Sequence, residues 1–210
     1  MTSIAPPSSP TKIKILDAAE KLFGRHGFDG TSLRDITAEA HVNLAAVNYH
    51  FQSKEALIDA LIERRLGPIN QLRIEILESL GPAPRLEAIL EAFLSPVINK
   101  DVPVLLIARL LANPSEFVER VYNRHLRPTL LRFSSALTDA LPGLSSDEIF
   151  WRIHFMAGSM THVLALAEVA TQMKESVTCN RKELIERMVI FLAAGFRAPG
   201  VTPTTMEKKS

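Results

Sequence analysis

A chain of 210 residues has room for one or two small domains, and 47% hydrophobic residues is ample for a packed core. The formal net charge of +1 excludes a protein that holds nucleic acid through a bulk positive field, so any such binding must depend on where the cations sit. A single cysteine, Cys179, excludes an internal disulfide and fits a reducing cytoplasm. The opening MTSIAPPSSP, residues 1–10, and residues 199–210 have the composition of tails. No secretory signal or membrane span is expected, because the apolar stretches are interrupted by charges or prolines.

The first helix is expected between Thr11 and Gly27. Ile15, Leu16, Ala19, Leu22 and Phe23 share one apolar face, Lys14, Asp17 and Lys21 lie opposite, and Gly27 is a suitable stop. Lys12 and Lys14 near its start oppose the helix dipole unless an anion is close; a phosphate backbone would serve, and simple solvation is the other reading.

Residues 31–55, TSLRDITAEAHVNLAAVNYHFQSKE, carry the most information. Ser32 and Asp35 have the spacing of a capping box, which starts a helix at 32 or 33 whose inward face is Leu33, Ile36, Thr37 and Ala40. Asn43 is the next cap, so one helix must end and another begin within Ala40, His41 and Val42, the length of a helix-turn-helix turn. The second helix, about residues 44–50, opens with Leu44, Ala45 and Ala46, and small side chains there let a helix backbone approach the floor of a major groove. Asn48 can bond an adenine edge, Tyr49 and His50 can donate to phosphates, and Lys54 sits in the first turn of the next helix behind its cap Ser53. Phe51 reads as core; Tyr49 has the interior open to it as well. The segment predicts a DNA-docking helix-turn-helix, residues 11–52. Over residues 1–54, Lys12, Lys14, Lys21, Arg25, Arg34 and Lys54 face Asp17, Glu20, Asp29, Asp35 and Glu39, so this head is hardly basic.

Beyond it, residues 53–198 read as a helical ligand-binding and dimerisation domain. Helices are expected from Ser53 to near Gly81 with a kink at Gly67 and Pro68, then over 85–99, 102–112, 115–141 with a bend at Pro128, 146–174 and 181–197. Ser145 and Glu148 offer another capping box. There is no strand alternation and no internal repeat, so the class is all-α. Helices 146–174 and 181–197 are apolar enough to form a two-fold seam, with Ala157, Gly158 and Ser159 allowing close approach; burial within one subunit is the alternative. Arg109, Tyr122, His154 and His162 are the polar residues in apolar surroundings that suit a ligand pocket, with a salt bridge as the other role for Arg109. His154 and His162 lie about 12 Å apart along a helix at about 1.5 Å per residue, too far to share a metal ion. No nucleophile, phosphate loop or metal cluster is evident, so neither an enzyme nor a cofactor is expected.

The stretch ILDAAEKLFGRHGFDGTSLRDITAEAHVNLAAVNYHFQSKEALIDALI, residues 15–62, resembles the N-terminal DNA-binding domain of the TetR family of bacterial transcriptional regulators. The resemblance implies a three-helix head on an all-helical effector domain, a homodimer on a pseudo-palindromic double-stranded operator, and a repressor released by a ligand. It implies DNA contact at Thr31, Arg34, Asn43, Ala45, Tyr49, His50 and Lys54. Two positions depart from the family pattern: His41 stands where a glycine is usual, and Asn48 where many members carry an aromatic. Histidine tolerates positive φ better than most residues, so the turn is expected to survive. VNLAAVNYHFQSKEALI together with EIFWRIHFMAGS is similar to fatty-acid-responsive repressors of the family, which implies a fatty acid or acyl-CoA effector. Drugs and aromatic compounds are open as effectors, and an adaptor without DNA binding is the alternative to a regulator.

Overall fold

The computed structural model describes residues 9–99, 110, 115–173 and 180–201, and every regular element among them is helical. The helix expected over 102–112 lies outside the described residues apart from Leu110, as do Arg109, Cys179 and the ends of both tails. The elements are α1 (Pro10–His26), α2 (Leu33–Ala40), α3 (Leu44–Phe51), α4 (Lys54–Ser79), α5 (Leu86–Ile98) and α6 (Glu116–Val121), then a π turn (Tyr122–Leu126). α7 (Arg127–Ala140), α8 (Ser146–Met173) and α9 (Arg181–Arg197) complete the set.

Local chemistry accounts for most of these limits. Pro10 opens α1, where its missing N–H costs nothing, and Gly27 at φ 75° closes it with its N–H on Phe23 O. Ser53 Oγ accepts from Ala56 N at 3.0 Å at the start of α4, and Asn180 Oδ1 accepts from Glu183 N at 2.9 Å at the start of α9. Two expectations need correction. The irregularity in the 115–141 stretch falls at the π turn 122–126 and not at Pro128 itself. A proline cannot donate to the carbonyl four residues back and its ring crowds that carbonyl, so the turn before it widens. At the start of α8 only half of the capping box forms, with Glu148 N on Ser145 Oγ at 3.2 Å. The Glu148 carboxylate is taken by Arg152 Nε at 2.9 Å and by Val201 N at 2.8 Å, which together hold it below the usual carboxylate range, the Val201 bond being the larger cause.

The described residues form two compact units. The first runs to Ile69 and includes α6 and the π turn to Leu126; the second starts at Asn70 and resumes at Arg127. The expected boundary after Gln52 lies within the first of these units. The reason is α4, whose Leu57, Ile58, Leu61, Ile62 and Leu66 share one core with Ile15, Phe23, Ile36, Val47 and Phe51, and with Val118 and Val121 of α6. Burying each such side chain contributes about 1.5–3 kcal/mol, which ties this part of α4 to the head far more strongly than a linker would be.

Polar pairs fix the register of the first unit. Arg64 meets Asp17 and Arg65 meets Glu20, both at 2.6 Å, joining α4 to α1. Arg120 meets Glu55 and Arg124 meets Asp59, both at 2.8 Å, and His125 is buried with Nε2 2.7 Å from Asp59 and Nδ1 2.9 Å from Glu63. The exposed pairs contribute about 0–1 kcal/mol each, so they orient α6 and the π turn on α4 more than they stabilise them.

In the second unit α5 packs on α9 and α7, and α8 on α7 and α9. Its centre is Leu90, Phe93, Leu94, Phe133, Leu137, Met156 and Phe196, with Phe93 edge-on to Phe133 at 5.1 Å. Arg152 of α8 is buried and closes the C-terminal end of α9. Its Nη1 donates to the carbonyls of Gly195 (3.1 Å), Phe196 (2.7 Å) and Ala198 (2.9 Å), and its Nη2 to that of Pro199 (3.1 Å). Carbonyls at and just past a helix end run short of backbone donors, Gly195 O here having only the Ala198 N–H at 3.3 Å, so the cation supplies what the helix end lacks.

Candidate nucleic-acid interface

The turn between α2 and α3 is built by two caps and one left-handed residue. Ser32 Oγ accepts from Asp35 N at 3.2 Å while Asp35 Oδ2 accepts from Ser32 N at 2.8 Å and from its hydroxyl at 2.7 Å. Those bonds hold the Asp35 carboxyl below its ordinary range, the hydroxyl bond first and the backbone bond second. His41 ends α2 at φ 53°, ψ 45°, with its N–H shared between the Thr37 and Ala38 carbonyls. Asn43 then opens α3, its Oδ1 accepting from Ala46 N at 2.9 Å. Gln52 closes α3 in a second left-handed position, φ 63°, with its N–H on Asn48 O.

α3 is two-faced. Val47 and Phe51 are buried in the head, while Leu44, Ala45, Asn48 and Tyr49 lie on the opposite side, Tyr49 with 81% of its surface exposed. The interior reading for Tyr49 is thus excluded, and that for Phe51 holds. His50 is half-buried, its ring edge-on to Tyr49 at 5.0 Å and to Phe51 at 6.2 Å. Arg34 on α2 is exposed, and Lys54 is half-buried at the first position of α4. The structure thus brings Leu44, Ala45, Asn48 and Tyr49 onto one exposed face, with Arg34 and Lys54 at the flanking helix starts.

Thr31 is 1% exposed, and its hydroxyl donates inward to Gly27 O at 2.9 Å and Leu22 O at 3.3 Å, so the hydroxyl fastens the α1–α2 loop. Asn43 is partly committed as well, since its carbonyl oxygen is the α3 cap and only its amide nitrogen is left for an outside partner. Lys21 is paired with Glu39, whose carboxyl is held low first by that hydrogen bond and then by the lysine charge. Lys12 lies 5.8 Å from the centre of the Phe51 ring, a protein partner that the sequence reading did not include.

The ligand-pocket residues expected from sequence fall in different units or outside the described residues. Arg109 lies outside the described residues. Tyr122 is half-buried in the π turn of the first unit, whereas His154 and His162 belong to α8 of the second. His154 Nδ1 is 2.7 Å from Phe150 O, its ring is 4.1 Å from the Phe150 ring, and His162 is exposed. Sequence reading missed two buried cations of the second unit, Arg73 and Arg152. A signal for Arg73 existed: it interrupts the i, i+4 stripe of Ile69 and Leu77 on α4, where an apolar residue would be expected. Among the described residues no three His, Cys, Asp or Glu are placed to hold a metal ion, and no helix is long and apolar enough to cross a membrane.

A short helix seated by buried residues behind a capped turn, its outer face open, defines a helix-turn-helix head. Residues 15–61 match the bacterial regulatory proteins of the tetR family, and residues 87–195 match the tetracyclin repressor-like C-terminal domain. The chain belongs to the TetR family, whose members are transcriptional regulators and not enzymes. It is 44% identical over 52 residues to YttP of Bacillus subtilis (25% of this chain, 25% of YttP) and 38% identical over 61 residues to IcaR of Staphylococcus aureus (29% of this chain, 33% of IcaR). IcaR is described as a negative transcriptional regulator of the biofilm operon icaADBC. The chain thus matches only about a quarter to a third of the length of these relatives. The fold is shared with the fatty acid degradation regulator FadR of Bacillus halodurans at a TM-score of 0.63 and 17% identity, covering 90% of this chain and 98% of FadR.

The left-handed turn residue makes a measurable demand on stability. Replacing His41→Gly removes a β-carbon from a conformation that costs an L-residue about 1 kcal/mol, so urea unfolding is expected to show a variant more stable by up to about that amount. A loss of stability would show instead that the imidazole holds the turn.

Proposed function

We propose that this protein is a cytoplasmic repressor that binds a pseudo-palindromic operator as a homodimer and is released by a small apolar effector. The observation that supports it best is the division of α3, with Val47 and Phe51 buried and Leu44, Ala45, Asn48 and Tyr49 open on the other side. Small residues at the start of the helix let its backbone approach base edges, where Asn48 can bond an adenine in bidentate fashion. Tyr49, His50 and Arg34 reach phosphates, and Lys54 adds a charge beside the free N–H groups at the start of α4. The domain division proposed is a reading head that borrows the first half of α4, and an effector and dimerisation unit made of the rest.

The dimer seam has physical support of its own. Phe150, Trp151, Phe155 and Leu166 on α8, and Ile190 and Phe191 on α9, are large apolar side chains left exposed, Phe191 at 73%. A face of that kind belongs against another surface, and a second copy of the same two helices closes it around a two-fold axis. Two heads related in this way read half-sites one helical turn apart, about 34 Å.

For the effector, the sequence similarity to fatty-acid-responsive regulators and the shared fold with FadR support an acyl compound. A long-chain fatty acid or acyl-CoA added to the repressor–operator complex is then expected to release the DNA in a mobility-shift titration, and failure of both to do so removes the acyl reading.

Roles at the interface separate by salt and sequence. On operators selected from random duplexes, Asn48→Ala is expected to relax base preference, a loss of about 1–3 kcal/mol of discrimination at the base it reads. Lys54→Ala is expected to weaken every sequence alike and lower the salt slope by about 1. The opposite pattern overturns the assignment.

The seam is tested by Phe155→Glu combined with Phe191→Glu. Light scattering is expected to give monomers with unchanged helical circular dichroism and operator affinity reduced at least tenfold; a dimer that persists places the seam elsewhere.

A further inference from the structure

Arg73 of α4 is a buried cation with no carboxylate beside it among the described residues. It is 5% exposed, and its Nε donates to Phe93 O at 2.8 Å while its guanidinium carbon lies 3.8 Å from the Phe93 ring centre. The two outer nitrogens are poorly served. Nη1 reaches Asn70 Oδ1 only at 3.3 Å, and Nη2 has the Met160 thioether at 3.9 Å. Among the described residues no carboxylate pairs with it. Arg152, the other buried arginine, has Glu148 at 2.8 Å and four carbonyls.

Structure alone does not call for this charge. The bond to Phe93 O uses the Nε N–H, Nη1 makes one long bond to Asn70, and Nη2 points at a soft, flexible thioether that moves aside readily. Burial pulls the guanidinium pKa down to about 9, so the group is a cation at neutral pH, and its desolvation is offset only by neutral partners among the described residues, the Phe93 carbonyl and ring, Asn70 and Met160. Such a group is completed by an anion, and a planar fork is the side chain best matched to a carboxylate.

We propose that Arg73 is the anion-binding centre of the effector site and that the effector is a monocarboxylate, its carboxylate on Nη1 and Nη2 and its apolar body against the Phe93 and Met160 side chains. This rests on the reading of the second unit as an effector domain and narrows its ligand class. One buried cation matches one negative charge. A thioester is neutral and leaves Arg73 uncompensated, while the phosphates of an acyl-CoA bring several charges that need water or several cations. A free acid meets the charge count, and Met160 yields its place at Nη2 to the second carboxylate oxygen.

Calorimetry on the full chain with dodecanoate, dodecanol, dodecanoyl-CoA and a substituted benzoate tests this, with Arg73→Met and Arg73→Lys alongside. Dodecanoate is expected to bind wild type at least tenfold more tightly than dodecanol, a comparison that needs no variant to fold. Arg73→Met is expected to lose at least tenfold for dodecanoate and to keep dodecanol affinity within about twofold, with Arg73→Lys in between. Equal binding of acid and alcohol by wild type overturns the proposal, as does unchanged acid binding by Arg73→Met. If the benzoate binds in an Arg73-dependent way and dodecanoate does not, the anion centre stands and the fatty-acid reading falls. If dodecanoyl-CoA alone binds and releases the operator, the acyl reading stands and the Arg73 proposal falls.

Discussion

An eight-residue helix is too short to be stable in water by its own hydrogen bonds, and α3 is such a helix. The rest of the first unit can be understood as what holds it. Val47 and Phe51 anchor its inner face, Asn43 and Gln52 end it at either side, and the capping box on α2 fixes the helix against which it turns. α4 supplies the floor of that arrangement. Its buried stripe from Leu57 to Leu66 makes the head a four-helix core rather than a three-helix one, and α6 adds Val118 and Val121 to it. Exposure of Tyr49 and Asn48 is therefore a consequence of packing elsewhere: a side chain can be left in water only because the opposite face is fully committed.

The same helix takes part in both units. α4 passes from the head core into the second unit at Asn70, carrying on its first half the carboxylates Glu55, Asp59 and Glu63 that engage Arg120, Arg124 and His125, and on its second half the buried Arg73. An effector bound at Arg73 would act on the element that carries Lys54 at its first position.

Charge also behaves differently in the two units. The head pairs Lys21 with Glu39, Arg64 with Asp17 and Arg65 with Glu20 and is hardly basic in composition, so its field is weak and any affinity for a duplex rests on geometry and on two copies. In the second unit the two buried arginines have opposite fates. Arg152 is spent on a carboxylate and the carbonyls at the end of α9, whereas Arg73 has only neutral partners for its two outer nitrogens among the described residues, an amide oxygen and a thioether.

The caps at Ser32, Asn43 and Ser53, the stops at Gly27 and the helix starts after Asn180 were legible from residue order, because a cap is a bond between neighbours three positions apart. So were the all-α class and the helix-turn-helix, whose apolar spacing is itself local. The burial of Thr31 was not legible, since it depends on carbonyls of α1 and of the loop that follows it, nor was the π turn, where Pro128 acts on the turn before it rather than on its own. That the first half of α4 shares the core of the head was not legible either, because a cap marks where a helix starts and not which core it joins. Arg73 and Arg109 look alike as cations among apolar neighbours in sequence. Sequence by itself determined the helices, their limits and the family; only the tertiary structure decided which polar groups are buried and unmatched, because burial is set by side chains far away in the chain.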